Sequence, residues 1–511
     1  MNPLQAARYF DVRESFDLVD YAEVGLPIFR LTVEAVTLAR LEMPTLHEFV
    51  LRSILIGEAN AGGIARLLGL AEDVVEDALA ALAYDKCVVL APSPAVGDSR
   101  ADTLDEVALA PKSYEVTDTG LQKMREGERT PRDEPLVFDY DGIRRHPVAL
   151  GTESVRRPKD LAEDGAIQIR PYPADAPDVS ELSSVDVGRV VRRRSGKGFE
   201  RGILAFRRIA RRENLFRPAV GLLYQSRATD EVQIAFVLGD QLAQDYEIEF
   251  AKHGGAKKGG LIRTAVGDRA SLRAFLGPER SAEVAHGDLL SRLRANVTLA
   301  KREHAAIRAR LERLRQKPML KTSEEQDLAS VEQSLRAARA DLDALPLRGL
   351  APYEQGELLI EALESAKRRL YISSADIAPD RADGTVLRRL NERLNDRVDV
   401  RIDTSVPLSA EPKGARGSFE LGVELWLAAQ QRRNLTLGQR PEGHTSLYFL
   451  IKDEDLAIVT NRPFLGGRGR PLSFIPTVGI VTRRPEIVAE IANLIGVPAP
   501  QAPRSSGHRR A

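Results

Sequence analysis

Hydrophobic positions between residues 45 and 126 recur at helical spacing in three successive segments. The apolar positions of these segments are Leu46, Phe49, Val50 and Ile54, then Ile64, Leu67 and Leu68, then Val74, Val75, Ala78, Leu79 and Leu82. A short apolar run at residues 87–90, a polar stretch, the segment YEVTDTG and a charged helical segment follow. This pattern predicts a mostly helical domain over residues 1–130, with three helices followed by a strand, a returning strand and a last helix.

The next segment, residues 131–280, combines strand-like and helical patterns of hydrophobic positions. PAVGLLYQSR and EVQIAFVLGD are typical of two paired strands joined by a polar turn, and QLAQDYEIEFAKHGG predicts a helix that ends at Gly254 and Gly255. We therefore expect a mixed α+β domain here. Residues 281–345 then carry two charged helical patterns with apolar seams, which predicts an antiparallel helical hairpin (coiled coil) that serves as a dimerisation arm or a spacer.

From residue 346 to residue 498 the pattern becomes β/α. Strand patterns occur at 370–373, 398–402, 447–452, 456–460 and 478–482, and helical patterns separate several of them. Such alternation predicts an α/β domain with a sheet that is covered by helices on both faces. The last segment, 499–511, is rich in Pro, Ser and Arg, and we expect it to be disordered.

Composition narrows the function classes. Lys+Arg and Asp+Glu both number 74, so overall charge does not favour a polyanionic partner. The single cysteine, Cys87, excludes an internal disulfide, and the sequence contains no metal-ligand motif, phosphate-binding P-loop or other pattern that calls for a cofactor. No apolar run is long enough for a membrane span, and the charged N-terminus is unlike a signal peptide, so we expect a cytoplasmic protein.

Local charge is concentrated in residues 189–217, which we call the basic segment. Its candidate phosphate-binding residues are Arg192, Arg193, Arg194, Lys197, Arg207, Arg208, Arg211 and Arg212. Only Glu200 and Glu213 oppose them within the segment. Two interpretations stay open: contact with nucleic-acid phosphates, and pairing with an acidic surface such as the helix at 72–77.

Two resemblances follow from these patterns. LGLAEDVVEDALAALAYDKCVV resembles the winged-helix domains of bacterial regulators, although its third helix carries Glu72, Asp73, Glu76 and Asp77, which phosphates would repel. RRLYISSADI, LRRLNERLNDRVDVRI and HTSLYFLIKDEDLAIVTNRPFLG together resemble one copy of the phospholipase D-like (HKD) fold. The resemblance implies phosphodiester cleavage by the motif His-x-Lys-x4-Asp, with a following Asn, at a site built from two such motifs.

The motif itself departs from that pattern. Counted from His444, the Lys position holds Ser446, and Asp453 lies beyond the required spacing. Counted back from Asp453, the His and Lys positions hold Ser446 and Tyr448, and the Asn position holds Pro463. Since Lys and Asn stabilise charge on phosphoryl oxygens, their loss predicts a non-catalytic domain.

Residues that would still line a cleft are Ser446, Tyr448, Thr460, Asn461, Arg462 and Arg468. The leading hypothesis is a non-catalytic nucleic-acid-associated or scaffold subunit of a bacterial multi-protein system for anti-phage defence or DNA processing, with other proteins of that system as partners. The second is a homodimeric nuclease that uses His444 and Asp453, with Arg462 or Lys452 replacing the Lys. The third is a winged-helix transcriptional regulator. A homodimer would form through the hairpin or the phospholipase D-like domain.

Overall fold

The computed structural model describes residues 1–38, 43–91, 112–126, 131–195, 201–229, 231–258, 260–263, 265–313, 318–378, 384–405, 424–425, 427–440, 446–466 and 473–497. His444, Arg468 and Lys197, three of the candidate site residues, lie outside these ranges. Two seven-stranded sheets form the centre of the molecule, which we call the N-terminal sheet and the C-terminal sheet.

The helical unit expected near the N-terminus, which we call the head, spans the described residues between 43 and 126. Its elements are α2 (Thr45–Leu55), α3 (Ala61–Leu68), α4 (Glu72–Tyr84), β2 (Val88–Leu90), β3 (Tyr114–Val116) and α5 (Asp118–Glu126), after a short α1 (Pro3–Tyr9). This order matches the order predicted from the sequence. Val50, Ile64, Val75 and Leu79 form its core, which is fully buried.

The prediction of mostly helical structure is wrong for residues 16–38. They form one strand of 23 residues, β1 (Phe16–Leu38), in which apolar side chains at alternate positions are buried against the N-terminal sheet's own helices. The other strands of this sheet are β4 (Arg132–Asp141), β5 (His146–Val148), β6 (Ile167–Gln168), β7 (Gly202–Ser226), β8 (Val232–Leu238) and β9 (Gln241–Leu242).

The order of this sheet is β5-β4-β1-β7-β8-β9, and β6 pairs with β1. β1 and β7 run antiparallel from the pair Phe16 and Ser226 to the pair Leu38 and Gly202, with bulges toward the far end. Since β1 and β4 are neighbours in the sheet, the head is inserted in the connection between two adjacent strands. The helices that accompany this sheet are α6 (Pro158–Glu163), α7 (Ser184–Ser195), α8 (Gln244–Lys252) and α9 (Gly255–Lys258).

Three helices connect the two sheets. They are α10 (Val266–Glu283), which is broken at Gly277, α11 (Asp288–Arg313) and α12 (Pro318–Asp343). Leu290 near the start of α11 packs with Leu342 at the end of α12, so this pair is an antiparallel hairpin as the sequence predicts. None of the described helices is long and apolar enough to cross a membrane.

The C-terminal sheet has the order β10-β16-β15-β14-β11-β12-β13. Its strands are β10 (Arg348–Gly349), β11 (Arg369–Ser374), β12 (Asp399–Thr404), β13 (Leu435–Gln439), β14 (Tyr448–Lys452), β15 (Leu456–Thr460) and β16 (Gly479–Thr482). One face is covered by α13 (Glu354–Ser365) and α14 (Gly384–Asn395), and the other by α10 and α15 (Pro485–Leu494). Coverage of both faces confirms the prediction from the β/α alternation.

A segment of the C-terminal half, residues 473–478, completes the N-terminal sheet, and we call it the joining segment. Phe474 is fully buried in that sheet's core, where it packs with Val24 and Phe236. The N–H of Thr477 donates to the carbonyl of Val19 at 2.7 Å. The two sheets are therefore held together by shared core packing as well as by the chain.

Candidate functional site

The first candidate site lies where β14 begins and β15 ends. Tyr448 and Thr460 are direct neighbours across these two strands. Thr460 is fully buried, and its Oγ1 accepts the N–H of Arg462 at 3.3 Å. The Arg440 guanidinium lies over the Tyr448 ring, 4.1 Å from its centroid, and Ser446 is half-buried in the preceding turn. Four of the predicted cleft positions, those at 446, 448, 460 and 462, therefore come together at one end of the sheet.

Asn461 directs its amide to protein partners. Its Nδ2 donates to Asp268 Oδ2 on α10 and to the carbonyl of Pro476, both at 2.9 Å. Its Oδ1 accepts the N–H of Val478, also at 2.9 Å. Both N–H groups of this amide are used, so Asn461 ties the end of β15 to α10 and to the joining segment.

Arg462 is likewise engaged. It pairs with Asp20 of β1 at 2.8 Å, and the two side chains are only 11% and 7% exposed. The same guanidinium donates to the carbonyl of Ile475. Because breaking a buried pair leaves an uncompensated charge, this contact holds the two sheets together more firmly than a surface pair would.

Lys452, the other proposed substitute for the missing Lys, is also occupied. Its Nζ donates to Ser365 Oγ at 3.1 Å and pairs with Asp455 at 2.9 Å, and the side chain is 6% exposed. It lies at the opposite end of β14 from Tyr448. Neither Arg462 nor Lys452 is therefore placed to hold a substrate phosphate in this arrangement.

Asp453 occupies the turn between β14 and β15, as the sequence predicts. Its carboxylate accepts the backbone N–H groups of Lys367, Arg368 and Arg369, at 3.0, 2.7 and 3.0 Å. Its backbone is left-handed, with φ of 49°. These contacts give Asp453 a positioning role at the start of β11.

A buried polar cluster was missed by the sequence analysis. Arg348 and Arg294 pair with Glu354 at 2.9 and 3.2 Å, and although burial acts to raise it, these guanidinium groups hold the pKa of Glu354 at about 2. Tyr353 donates to Asp11 Oδ2 at 2.9 Å, and burial raises the pKa of Asp11 to about 6. Arg294 lies on α11 and Asp11 in the N-terminal segment, far in sequence from β10 and the start of α13, so no local sequence signal joins the whole cluster.

The second candidate site is the basic segment. α7 carries Arg192, Arg193 and Arg194 in its last turn, and β7 carries Arg207, Arg208, Arg211 and Arg212, all of them exposed. Three surface ion pairs involve them: Arg207 with Asp133 at 2.9 Å, Arg208 with Glu34 at 2.5 Å, and Arg212 with Asp178 at 3.7 Å. Arg194 lies 3.8 Å from Asp139, whose carboxylate is buried and also pairs with Arg30. Arg193 and Arg211 make no ion pair within the part of the chain that the structure describes.

The partners of these arginines differ from the sequence expectation. They come from β1, β4 and residue 178, and among the described residues no acid of the 72–77 helix pairs with the basic segment. Arg208 lies opposite Glu34 and Arg211 lies opposite Thr32. Both are on one face of the sheet, and Phe206 is on the other. Arg208 and Arg211 thus share the open face of the sheet, whereas Arg212 lies opposite the buried Leu31, on the face that α7 covers.

Comparison with solved structures gives matches of low overall similarity, of which three are described. NucT from Helicobacter pylori aligns at 13% identity and a TM-score of 0.20, over 30% of this chain and 97% of NucT. TrmBL2, an archaeal chromatin protein with a novel mode of DNA binding, aligns at 16% and 0.20, over 36% of this chain and 66% of TrmBL2. Phosphatidylserine synthase from Haemophilus influenzae aligns at 14% and 0.19, over 33% and 46%.

No protein-family model matches the sequence, and no curated protein is similar to it. At TM-scores of 0.19 to 0.20 the structural similarities carry no argument about function. The candidate sites therefore have to be judged on their own geometry.

Proposed function

We propose that this chain is a non-catalytic nucleic-acid-binding subunit in which the arginines of α7 and β7 bind phosphates. The observation that carries the proposal is their exposure: Arg207, Arg208 and Arg212 have side chains 60%, 71% and 47% exposed even with their ion partners in place. Exposed pairs contribute only about 0–1 kcal/mol each, so phosphate groups can replace those partners at little cost.

The extended shape of β7 supports the same function. A strand rises about 3.3 Å per residue, so Arg208 and Arg211, which share one face of the sheet, lie roughly 10 Å apart along β7. Such a spacing suits contacts to phosphates of one nucleic-acid strand, and phosphate contacts position a protein without reading sequence. The head is less suited to this contact, because Glu72, Asp73, Glu76 and Asp77 of α4 are exposed.

The absence of catalysis is part of the proposal. It is supported by Asn461 and Arg462, whose hydrogen-bonding groups link the two sheets, and by the lack of His and Lys at the motif positions. The phospholipase D-like and winged-helix assignments, a scaffold role for the joined sheets and membership of an anti-phage or DNA-processing system belong to this proposal as well. They rest on the sequence resemblances.

A salt titration tests the proposal. We would measure binding of single-stranded DNA, duplex DNA and RNA to the full chain and to Arg193→Ala/Arg211→Ala, whose side chains make no ion pair among the described residues. Each lost duplex contact should lower the steepness of log K against log salt by about 0.9, so the slope for the double variant should fall in magnitude by up to about 2. Arg308→Ala/Arg310→Ala on α11 removes the same charge elsewhere and should leave the slope unchanged.

Other outcomes identify the alternatives. Equal salt slopes for both double variants, or no binding at low salt, would reject the basic segment as the binding surface. Cleavage that is lost in His444→Ala would support the homodimeric nuclease instead. Binding of one duplex sequence that disappears on removal of the head would support the transcriptional regulator.

A further inference from the structure

A cavity of about 530 Å³ lies where the N-terminal sheet, α10, the start of α11 and the C-terminal sheet meet. The ends of β1 and β7 contribute Asp17 and Arg227, and α10 contributes Arg269 and Arg273. The joining segment and β16 close it with residues 477–480. None of the phospholipase D-like positions and none of the arginines of the basic segment lines this cavity.

The charges around the cavity are predominantly positive. Four arginines line it, at positions 227, 269, 273 and 294, against the single carboxylate of Asp17. Arg227 pairs with Asp17 at 2.8 Å and with Asp288, Arg269 donates to Gln225, and Arg294 pairs with Glu354. Arg273 is exposed and has no ion partner in the ranges described. The positive charge that no carboxylate balances among the described residues therefore lies at Arg273.

Three residues that line this cavity each carry a buried polar atom with no hydrogen-bond partner among the described residues: Ser281 Oγ, Arg294 Nε and Thr477 Oγ1. Folded proteins seldom leave such groups unpaired, and each instance calls for a ligand, an ion or a water. Two hydroxyls and one guanidinium N–H are donors. Together with the arginines they are suited to an oxyanion acceptor.

The rest of the wall is apolar. Leu272, Leu276, Leu290 and Ile480 face the same space, and the volume lies within the range of about 300–1,000 Å³ that small-molecule sites occupy. An inorganic ion alone would leave this apolar surface uncovered. We propose that the cavity binds a mononucleotide, with its phosphate toward Arg273, Arg294 and Thr477 and its base against the leucines. This site is separate from the nucleic-acid surface proposed above.

Isothermal titration of the full chain with AMP, ATP, inorganic phosphate and adenosine tests this site. We expect AMP or ATP to bind more tightly than phosphate or adenosine. Only a nucleotide has both a phosphate for the arginines and a base for the apolar side of the cavity. Arg273→Glu should weaken nucleotide binding about tenfold or more, since a charge-assisted contact becomes a repulsion. Thr477→Val keeps the side-chain shape but removes the hydroxyl, and should weaken it several-fold without lowering the melting temperature of the free protein.

The matched control is Arg310→Glu, which reverses one exposed charge on α11 outside both proposed sites and should leave nucleotide affinity unchanged. If none of the four probes binds the wild-type chain at millimolar concentration, or if binding is equal in Arg273→Glu and wild type, the proposal is overturned. Nucleotide binding that persists in Arg193→Ala/Arg211→Ala would show that the cavity acts independently of the basic segment, so failure of one proposal does not carry over to the other.

Discussion

At the residue scale, Asp453 shows how a residue of the expected motif serves folding. Its carboxylate accepts three backbone N–H groups, and its backbone has a φ of 49°. We expect Asp453→Ala to lower the free energy of unfolding by about 1–3 kcal/mol, because these N–H groups lose their acceptor. Asp453→Asn should lower the free energy of unfolding by less, since Asn tolerates the left-handed backbone region and keeps one acceptor oxygen. Urea denaturation measures both, with Glu454→Ala as the control. An Asp453→Ala protein as stable as the control would contradict this role.

Asp11 predicts a pH dependence that one substitution can isolate. Burial raises its pKa from 3.8 to about 6, with Arg294, Tyr353, Glu354 and Asp17 as its charged or polar neighbours. The folded state then holds a proton that the unfolded state has lost, so this contribution to stability is present below pH 4 and is lost as pH rises through 6. Asp11→Asn cannot lose that proton, and at pH 7 it should gain up to about 3 kcal/mol relative to wild type.

Urea unfolding of both proteins at intervals between pH 4 and pH 7 checks this window. Glu354 changes stability in the opposite direction and in a lower pH range. Because its pKa is lowered to about 2, its contribution to stability is present above pH 4.5 and is lost in more acidic solution. A difference between wild type and Asp11→Asn that stays constant across the series would show that Asp11 does not titrate there.

Single residues were predictable only where their partners are near in sequence. The turn at Asp453 follows from its own dipeptide neighbours, Glu454 and Asp455. The contacts of Arg462 with Asp20 and of Asn461 with Asp268 join residues hundreds of positions apart, so no local pattern could indicate them.

At the element scale, the contact between β7 and the joining segment leaves no room for a side chain at Gly221. A Cβ there would lie 2.7 Å from Phe474 Cζ and 2.8 Å from Val24 Cγ1. We expect Gly221→Ala to lower the free energy of unfolding by about 1–3 kcal/mol through overpacking. Since Phe474→Leu removes one of the two clashing atoms, the double variant should lose less stability than the two single losses added together.

Thermal and urea unfolding of the four proteins gives this coupling. Gly356→Ala on α13 is the matched control, because no atom lies within 4 Å of a Cβ at that position, and Ala favours a helix. Additive losses in the double variant would mean that Gly221 and Phe474 do not contact each other as described.

The elements of the C-terminal sheet and the hairpin of β7 and β8 were predicted well, whereas β1 and the first half of β7 were not predicted. β11, β12, β14, β15 and β16 each carry a compact apolar run beside a turn or a helix. β1 instead pairs with β7, whose first paired residue is more than 160 positions away, and no hairpin turn joins these two strands. The basic segment hides the first half of β7 further, because its bulges and its adjacent arginine pairs interrupt the alternation of apolar and polar residues.

At the scale of the whole molecule, the contacts predict which fragments are stable. α10 precedes the C-terminal domain boundary expected at residue 346, yet Leu272 packs in that domain's core and Phe275 lies 5.2 Å from Phe449, centroid to centroid. We expect a 265–497 fragment to melt at a higher temperature than a 346–497 fragment, which exposes this apolar face. Both fragments should be less stable than the full chain, because Phe474 then has no N-terminal sheet to pack against.

Circular dichroism melting of the fragments, with the head (residues 43–126) as a separately folded reference, tests this expectation. The head has its own core of Val50, Ile64, Val75 and Leu79, so it should unfold cooperatively when isolated. Equal melting temperatures for the two C-terminal fragments would show that α10 adds nothing to that domain.

The seating of Phe474 in the N-terminal sheet also sets the order in which a growing chain can mature. β1 leaves the ribosome early but finds its long partner only when β7 has been made, and pairing between distant segments is slow and exposes unpaired edges. Even then the sheet's core is incomplete until residue 474 has emerged. Translation of nearly the whole message therefore precedes a finished N-terminal half, and nascent chains of this protein should depend on chaperones that shield exposed strands during synthesis.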